Sequence, residues 1–146
     1  DDKYVYRHHD YTSYYPSIMI SYKVAPKHLN ANAFAKMVDY FKSTRVAAKH
    51  NVQEHVIDGV DNHLTAEALK IVINAIYGKL GSDVFWLYDR FAQMQVTING
   101  QLMTMTLIEA LSLAGIKTVS ANTDGIVIKL PRDKMDEYKR ITAEWN

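Results

Sequence analysis

The chain of 146 residues has no cysteine, only three prolines and six glycines, and almost no excess of charge of either sign. The absence of cysteine excludes a disulfide framework, thiolate metal sites and a cysteine nucleophile. Because 17 lysines and arginines nearly balance 16 aspartates and glutamates, binding to a polyanion needs a local cluster of cations. No apolar run approaches the roughly 18 residues of a membrane span, so we expect no membrane association. The remaining composition, 48% hydrophobic, is that of a globular domain.

Tyrosine is abundant instead, with ten residues in the chain. Many of them fall in the first third of the sequence. Two interpretations stay open: tyrosines that fill strands and core, where they are common, or an aromatic surface that meets sugars or bases.

The hydrophobic pattern predicts an α+β fold with an antiparallel sheet. No glycine-rich phosphate loop follows a strand, which disfavours a parallel nucleotide-binding sheet. Turn residues around Gly59 separate two long helices, which we expect to form an antiparallel hairpin. The last two strands flank a four-residue turn and form a β-hairpin. The predicted strands cover residues 3–9, 117–121 and 126–129, and the predicted helices cover residues 14–22, 31–50, 64–80, 93–113 and 134–144. Ser13 is a candidate N-cap of the first helix, and Gly115 is expected to end the fourth. The apolar side of the third helix is predicted at Leu69, Ile73, Ile76 and Leu80.

Two aspartates occupy positions where catalytic carboxylates are often found. Asp10 follows the first predicted strand, and Asp124 lies at the tip of the predicted hairpin. An aspartate in a tight turn commonly serves the turn itself, and for either residue alone this alternative stays open. If both lie at one sheet edge, their oxygens suit Mg²⁺, which takes one or two carboxylates plus water and phosphate oxygens. Such a pair fits two-metal phosphoryl transfer.

The two long central helices each carry polar and cationic residues on one face. Residues three and four apart in a helix lie on the same side. A solvated helix face tolerates such a stack, and this interpretation stays open beside a cationic grip for a triphosphate. The residues are Lys42, Arg45 and Lys49 on the first helix, and Lys70, Asn74 and Tyr77 on the second.

Other common catalytic patterns are weak in this chain. The histidines show no compact metal-ligand spacing, which argues against a zinc site. Ser13 and Ser17 lack the context of a nucleophile elbow, which argues against serine hydrolase chemistry. The histidines are His8, His9, His28, His50, His55 and His63.

Three segments resemble, in order, the motifs of family B DNA polymerases. Residues 10–18, DYTSYYPSI, resemble motif A, which usually reads D-x-x-S-L-Y-P-S-I. Residues 70–78, KIVINAIYG, resemble motif B, K-x-x-x-N-S-x-Y-G, with Ala75 for the common serine. Residues 122–125, NTDG, resemble motif C, commonly D-T-D-S. Residues 97–101, TINGQ, are similar to the T-x-x-G-R segment between motifs B and C, with glutamine for arginine.

This resemblance implies a polymerase palm with an antiparallel sheet, together with a fingers hairpin of two antiparallel helices. Residues 1–30 and 82–146 would form the palm, and residues 31–81 the fingers. The chain has no room for an exonuclease region or a thumb, so we expect a palm-and-fingers fragment of a longer enzyme.

The resemblance also implies roles for individual residues. Asp10 and Asp124 would be the catalytic metal ligands, and the Tyr11 carbonyl a further oxygen ligand. Tyr15 would pack under the deoxyribose and exclude a 2′-hydroxyl. The nucleotide would be bound by Ser13, Tyr14, Tyr15, Arg45, Lys49, Lys70 and Asn74, the base pair bordered by Tyr77 and Gly78, and DNA contacted by Thr97 and Gln101.

Motif C departs from the family pattern at two positions. Asn122 replaces the first aspartate, and Gly125 replaces the serine. The essential second carboxylate is present as Asp124, so we expect an active site. The charge lost at Asn122 would weaken ion binding.

The implied reaction is template-directed DNA synthesis. Its cofactors would be two Mg²⁺ ions, with Mn²⁺ as a substitute, and its partners primer–template DNA and deoxynucleoside triphosphates. The variant motif looks like that of a bacteriophage enzyme, which would act inside the host cell cytoplasm. A Mg²⁺-dependent nuclease and a non-catalytic nucleic-acid-binding module stay open as alternatives, whereas Tyr15 argues against RNA synthesis.

Overall fold

The computed structural model describes residues 3–50, 56–57, 59–143 and 145. The chain contains helices and an antiparallel three-stranded sheet, so the predicted α+β class is confirmed. None of the helices in these ranges is long and apolar enough to cross a bilayer. The elements are β1 (Tyr4–Asp10), α1 (Tyr14–Ser21), α2 (Ala31–His50), β2 (Val56–Ile57), β3 (Val60–Asp61), α3 (Asn62–Leu80), α4 (Arg90–Leu113), β4 (Lys117–Ala121), β5 (Gly125–Pro131) and α5 (Met135–Ala143).

Most predicted elements are present with bounds close to those expected. Helix α2 has the predicted bounds, and β4 coincides with its predicted strand. Helix α4 begins at Arg90 rather than at residue 93, and a 3₁₀ turn, Arg132–Lys134, precedes α5. The predicted end of the last helix, residue 144, lies outside the described residues. The short antiparallel pair β2–β3 was not predicted, because two-residue strands leave no periodic signal.

The chain divides into two compact units. The first contains the segments up to Tyr14 and from Ile98 onward. Its sheet has the order β1-β5-β4, and β5 pairs antiparallel with both neighbours. Because side chains alternate along a strand, β5 buries every second residue in the core of this unit. These residues are Ile126, Ile128 and Leu130.

Gly115 ends α4, as predicted. It has a positive φ of 73°, which glycine adopts at little cost. Its N–H donates to the Ser112 carbonyl (2.8 Å), and the N–H of Ile116 donates to the Leu111 carbonyl (2.9 Å). These two hydrogen bonds satisfy carbonyl groups in the last turn of α4, and the chain then turns into β4.

The second unit, Tyr15–Thr97, contains the helix pair α2–α3. Asp61 caps α3, because its side chain accepts hydrogen bonds from the N–H groups of His63 (2.7 Å) and Leu64 (3.4 Å). The apolar side predicted for α3 is confirmed at three of its four positions, and Leu69 is half-buried. The three buried residues are Ile73, Ile76 and Leu80.

Asp89 explains the early start of α4. Its Oδ1 accepts from the N–H groups of Phe91 (2.9 Å) and Ala92 (3.1 Å), and its Oδ2 accepts from the Lys27 N–H (2.9 Å). Burial opposes the charge, but the three backbone donors hold the pKa of the Asp89 carboxyl below its ordinary value. One buried carboxylate therefore caps a helix and fixes a loop within the same unit.

We expect Asp89→Ala to lower the free energy of unfolding by about 2 kcal/mol, since a cap is lost and the Lys27 N–H loses its acceptor. Because the pKa is lower in the folded state, this contribution is complete above about pH 4 and declines as pH falls towards the folded-state value. Urea denaturation at pH 7 and pH 3 measures both effects. Asp89→Asn, which keeps a capping oxygen, should lose less. Equal stability of wild type and Asp89→Ala at pH 7 would contradict the capping role.

Candidate active site

Asp10 and Asp124 lie at the same end of the three-stranded sheet. Asp10 ends β1 and is paired with Gly125, the first residue of β5. One step further, the Tyr11 N–H donates to the carbonyl of Asp124 (2.9 Å). The hairpin closes through the Asn122 N–H, which donates to the Gly125 carbonyl (2.9 Å). The pairing of β1 with β5, which no local pattern could indicate, therefore brings these two chain segments together.

His8 contacts the carboxylate of Asp10. Its Nε2 lies 3.1 Å from Oδ1 of Asp10, whose side chain is 60% exposed. Residues two apart in a strand lie on the same face, so His8 and Asp10 project together. His8 was not among the predicted site residues, although the alternation of β1 puts it on the same face as Asp10.

Two stacked tyrosines support the chain directly after Asp10. The rings of Tyr11 and Tyr14 are 4.3 Å apart and nearly parallel, at 13°. The Tyr14 hydroxyl donates to the Gly100 carbonyl (2.5 Å) and lies 3.0 Å from Oγ1 of Thr104. Burial, with a further contribution from Tyr14, raises the pKa of Tyr11 to about 12, so this hydroxyl stays neutral. Because the Tyr14 side chain is buried, its predicted contact with a nucleotide would have to come from its backbone.

His9 anchors the other face of β1. Its Nδ1 lies 3.1 Å from the hydroxyl of Tyr138 on α5, and its ring meets Tyr11 edge to face. Burial lowers the pKa of His9, against the opposing effect of the neighbouring Asp10 charge. His9, which favours its neutral form, therefore connects β1 to α5 on the face opposite Asp10.

Ser13 has an unusual backbone conformation in the loop between β1 and α1. Its φ is +50°, in the left-handed region, where a residue with a side chain costs about 1–2 kcal/mol. A helix N-cap normally has an extended backbone, so this conformation is not that of the cap considered from sequence. Strained residues of this kind cluster at functional sites, and the nucleotide contact of Ser13 stays a prediction.

In the second unit, Tyr15 and Tyr77 are in ring contact. The ring centroids are 4.2 Å apart, with a tilt of 33°. The Tyr77 hydroxyl lies 2.8 Å from Oγ1 of Thr97. The fold thus brings together one residue from each of three motif segments that are far apart in sequence.

The predicted cations of α2 and α3 differ in their surroundings. Lys42 donates from Nζ to Oγ of Ser17 on α1 (2.8 Å), so it ties two helices of the unit together. Lys70 Nζ lies 3.7 Å from Oε2 of Glu67, both exposed, a geometry of little energetic weight. Arg45 is half-buried. The exposed remainder of the predicted site comprises Lys49, Asn74, Gly78 and Gln101.

Two comparisons with known proteins match the chain to DNA polymerases. No protein-family model matches the chain. The protein named DNA polymerase 2 of Aeropyrum pernix is 24% identical over 163 aligned positions, which cover 92% of this chain and 20% of that protein. The solved structure of the family B DNA polymerase from Pyrobaculum calidifontis superposes with a TM-score of 0.69 at 20% identity, over 95% of this chain and 22% of that one. The chain has the fold of a family B DNA polymerase segment.

The resemblance to family B polymerases is therefore confirmed, for a chain that spans about a fifth of the length of these relatives. Both relatives come from archaea, and the bacteriophage-like character stays a prediction.

Gly125, at the position where motif C commonly has serine, lies close to Asp10. A Cβ at this position would collide with Oδ1 of Asp10 and would lie 3.1 Å from the His9 carbonyl. It would also lie 3.3 Å from Nε2 of His8. The absent side chain leaves the space in which the His8–Asp10 pair lies.

The donor set at this end of the sheet fits Mg²⁺. Asp10 and Asp124 supply carboxylates, and the Tyr11 carbonyl and Asn122 amide are neutral oxygens nearby in the chain. Within the described ranges no three histidine, cysteine, aspartate or glutamate side chains group around one point, and His55 lies outside those ranges. Mg²⁺ requires no such cage, because it keeps several waters and uses one or two carboxylates. The exposed carboxylate of Asp10 allows those waters to remain.

Proposed function

We propose that the chain carries the nucleotidyl-transfer centre of a template-directed DNA polymerase. The names of both relatives state that they are DNA polymerases, and we propose the same activity for the protein that contains this chain. The observation that supports it most is the position of Asp10 and Asp124 at one end of paired strands. Residues 1–30 and 82–146 would act as palm, and residues 31–81 as fingers.

The proposed metal ligands are Asp10, Asp124 and the Tyr11 carbonyl. When bound, two Mg²⁺ ions supply positive charge that favours the deprotonated primer 3′-hydroxyl and the leaving pyrophosphate. The two carboxylates would hold this charge at the end of the sheet, and the Tyr11–Asp124 backbone hydrogen bond keeps their segments in register. Asn122 contributes no charge, so the centre depends on two carboxylates rather than three.

The cations proposed to bind the triphosphate, and Tyr15, belong to the second unit. Arg45, Lys49 and Lys70 would bind phosphate oxygens, with arginine as a two-pronged donor and lysine as a point charge. Tyr15 would exclude a 2′-hydroxyl. The remaining contacts would come from Ser13, Tyr14 and Asn74 to the nucleotide, Tyr77 and Gly78 to the base pair, and Thr97 and Gln101 to DNA.

Primer extension by the full-length protein tests the function. We expect the labelled primer to lengthen only when template, Mg²⁺ and the complementary deoxynucleotide are all present, with release of pyrophosphate. Shortening of the primer without nucleotide would indicate a nuclease instead. Binding of DNA with neither change would indicate a non-catalytic module.

Lys70→Ala tests the triphosphate grip. We expect the KM for the deoxynucleotide to rise about 10- to 100-fold, because a hydrogen bond to a charged group is lost. Primer–template affinity should change little. Lys139→Ala is the matched control, because Lys139 makes a comparable exposed contact with Asp136 (3.9 Å) one helical turn away. Weaker DNA binding with an unchanged KM would assign Lys70 to the DNA backbone instead.

A further inference from the structure

The hydroxyl of Thr97 joins two hydrogen bonds on α4. Its Oγ1 donates to the carbonyl of Gln93 (3.0 Å), one turn earlier in the helix. The same oxygen lies 2.8 Å from the hydroxyl of Tyr77 on α3. Thr97 thus connects a rigid helical backbone to an aromatic side chain on another helix of the same unit.

The direction of the second bond follows from proton counting. A threonine hydroxyl has a single proton. Because that proton is directed to Gln93, the Tyr77 hydroxyl must donate to Thr97. Thr97 is therefore the acceptor that fixes the outer end of the Tyr77 ring.

The ring of Tyr77 in turn contacts the ring of Tyr15, with centroids 4.2 Å apart. All three side chains are half-buried, so neither ring is fixed by close packing on every side. A shift of Tyr77 about its Cβ would change the surface against which Tyr15 rests. The hydrogen bond at one end and the ring contact at the other make a continuous chain from helix α4 to Tyr15.

We infer that Thr97 is a positioning residue for sugar selection, acting through Tyr77 on Tyr15. This inference rests on the proposed function, in which Tyr15 excludes the 2′-hydroxyl. An aromatic ring excludes a 2′-hydroxyl by occupying its space, so the ring must be held in place to do so. If the ring moves away, the space opens and the hydroxyl fits. Thr97 need not touch the nucleotide to affect which sugar is accepted.

The test compares variants of the full-length protein by the ratio of kcat/KM for deoxynucleotide to that for ribonucleotide. Thr97→Val keeps the shape of the side chain but removes the hydroxyl that accepts from Tyr77. We expect the ratio to fall about fivefold, because this is the typical net effect of losing one hydrogen bond. Tyr77→Phe removes the donor and should have the same effect. The double variant should fall no further, because both changes break one bond. Thr97→Ser restores the hydroxyl and should restore the ratio.

Thr106→Val is the matched control. Thr106 lies on the same helix and makes the same backbone bond, to the Leu102 carbonyl (2.7 Å), but it is exposed. It should leave the ratio unchanged. An equal loss of deoxynucleotide and ribonucleotide use in Thr97→Val would show a general structural role and overturn the inference.

An unchanged ratio in Thr97→Val, together with a lowered ratio in Tyr15→Ala, would also overturn it while the proposed function stands. If the wild-type protein does not extend a primer, the proposed function fails and the inference fails with it. If Thr97→Val folds poorly, Tyr77→Phe tests the same hydrogen bond through the same ratio of kcat/KM values.

Discussion

Asp124→Asn is expected to lower the rate of nucleotide addition by roughly three orders of magnitude, because metal-ion charge stabilisation contributes several kcal/mol to such reactions. Asparagine has nearly the same shape as aspartate but lacks the charge that would hold the ions. The fold should survive the change, since Asp124 contributes to the sheet through its backbone carbonyl, which accepts from Tyr11. Single-turnover primer extension over a range of Mg²⁺ concentrations measures the loss, and Mn²⁺ binding followed by magnetic resonance should weaken in parallel.

Asp136→Asn is the control for this change. Asp136 is on α5, its side chain is 99% exposed, and its contact with Lys139 is long, at 3.9 Å. We expect wild-type rates from this variant. If Asp124→Asn kept most of its activity and its Mn²⁺ affinity, Asp124 would be a turn residue and the two-carboxylate centre would be rejected.

Tyr15→Ala is expected to raise ribonucleotide incorporation roughly a hundredfold or more, with a much smaller loss of deoxynucleotide use, since the barrier acts by overlap with one hydroxyl. Competition between a deoxynucleotide and the matching ribonucleotide on the same primer–template measures the change. The expected shift exceeds that of Thr97→Val, because alanine removes the ring whereas valine only loosens its support.

Stability separates this role from simple packing. Tyr15 is half-buried and rests on Tyr77, so its truncation should cost less than the about 3–5 kcal/mol of a fully buried aromatic. Tyr15→Phe keeps the ring and should keep sugar selection. An unchanged preference in folded Tyr15→Ala would remove this residue from the nucleotide site.

The helices of this protein could be predicted well because their signals are local. The period of apolar residues located α2 and α3, and Gly115 marked the end of α4. The start of α4 was misplaced because Asp89 resembles any loop aspartate in sequence. Only the folded chain shows that it accepts hydrogen bonds from both a helix start and the Lys27 N–H.

The candidate site could be predicted only as a set of residues. Asp10 was singled out by its place at a strand end and Asp124 by the turn pattern. The approach of the two depends on the register of β1 against β5, whose paired residues are more than a hundred positions apart. The contact between Tyr77 and Thr97 likewise needs the packing of two helices. His8 is different: it was not predicted, although strand alternation alone is enough to put it on the same face as Asp10.

The close approach of Gly125 to Asp10 restricts the order in which this sequence can change. A serine at position 125 would need room that the carboxylate of Asp10 and the ring of His8 now fill. A smaller residue at position 8 would free the carboxylate to turn aside, and a serine at position 125 would then have only the His9 carbonyl, 3.1 Å from its Cβ, to accommodate. Positions 8 and 125 should therefore vary jointly among homologous chains, and a mutational path to the D-T-D-S form should pass through position 8 first.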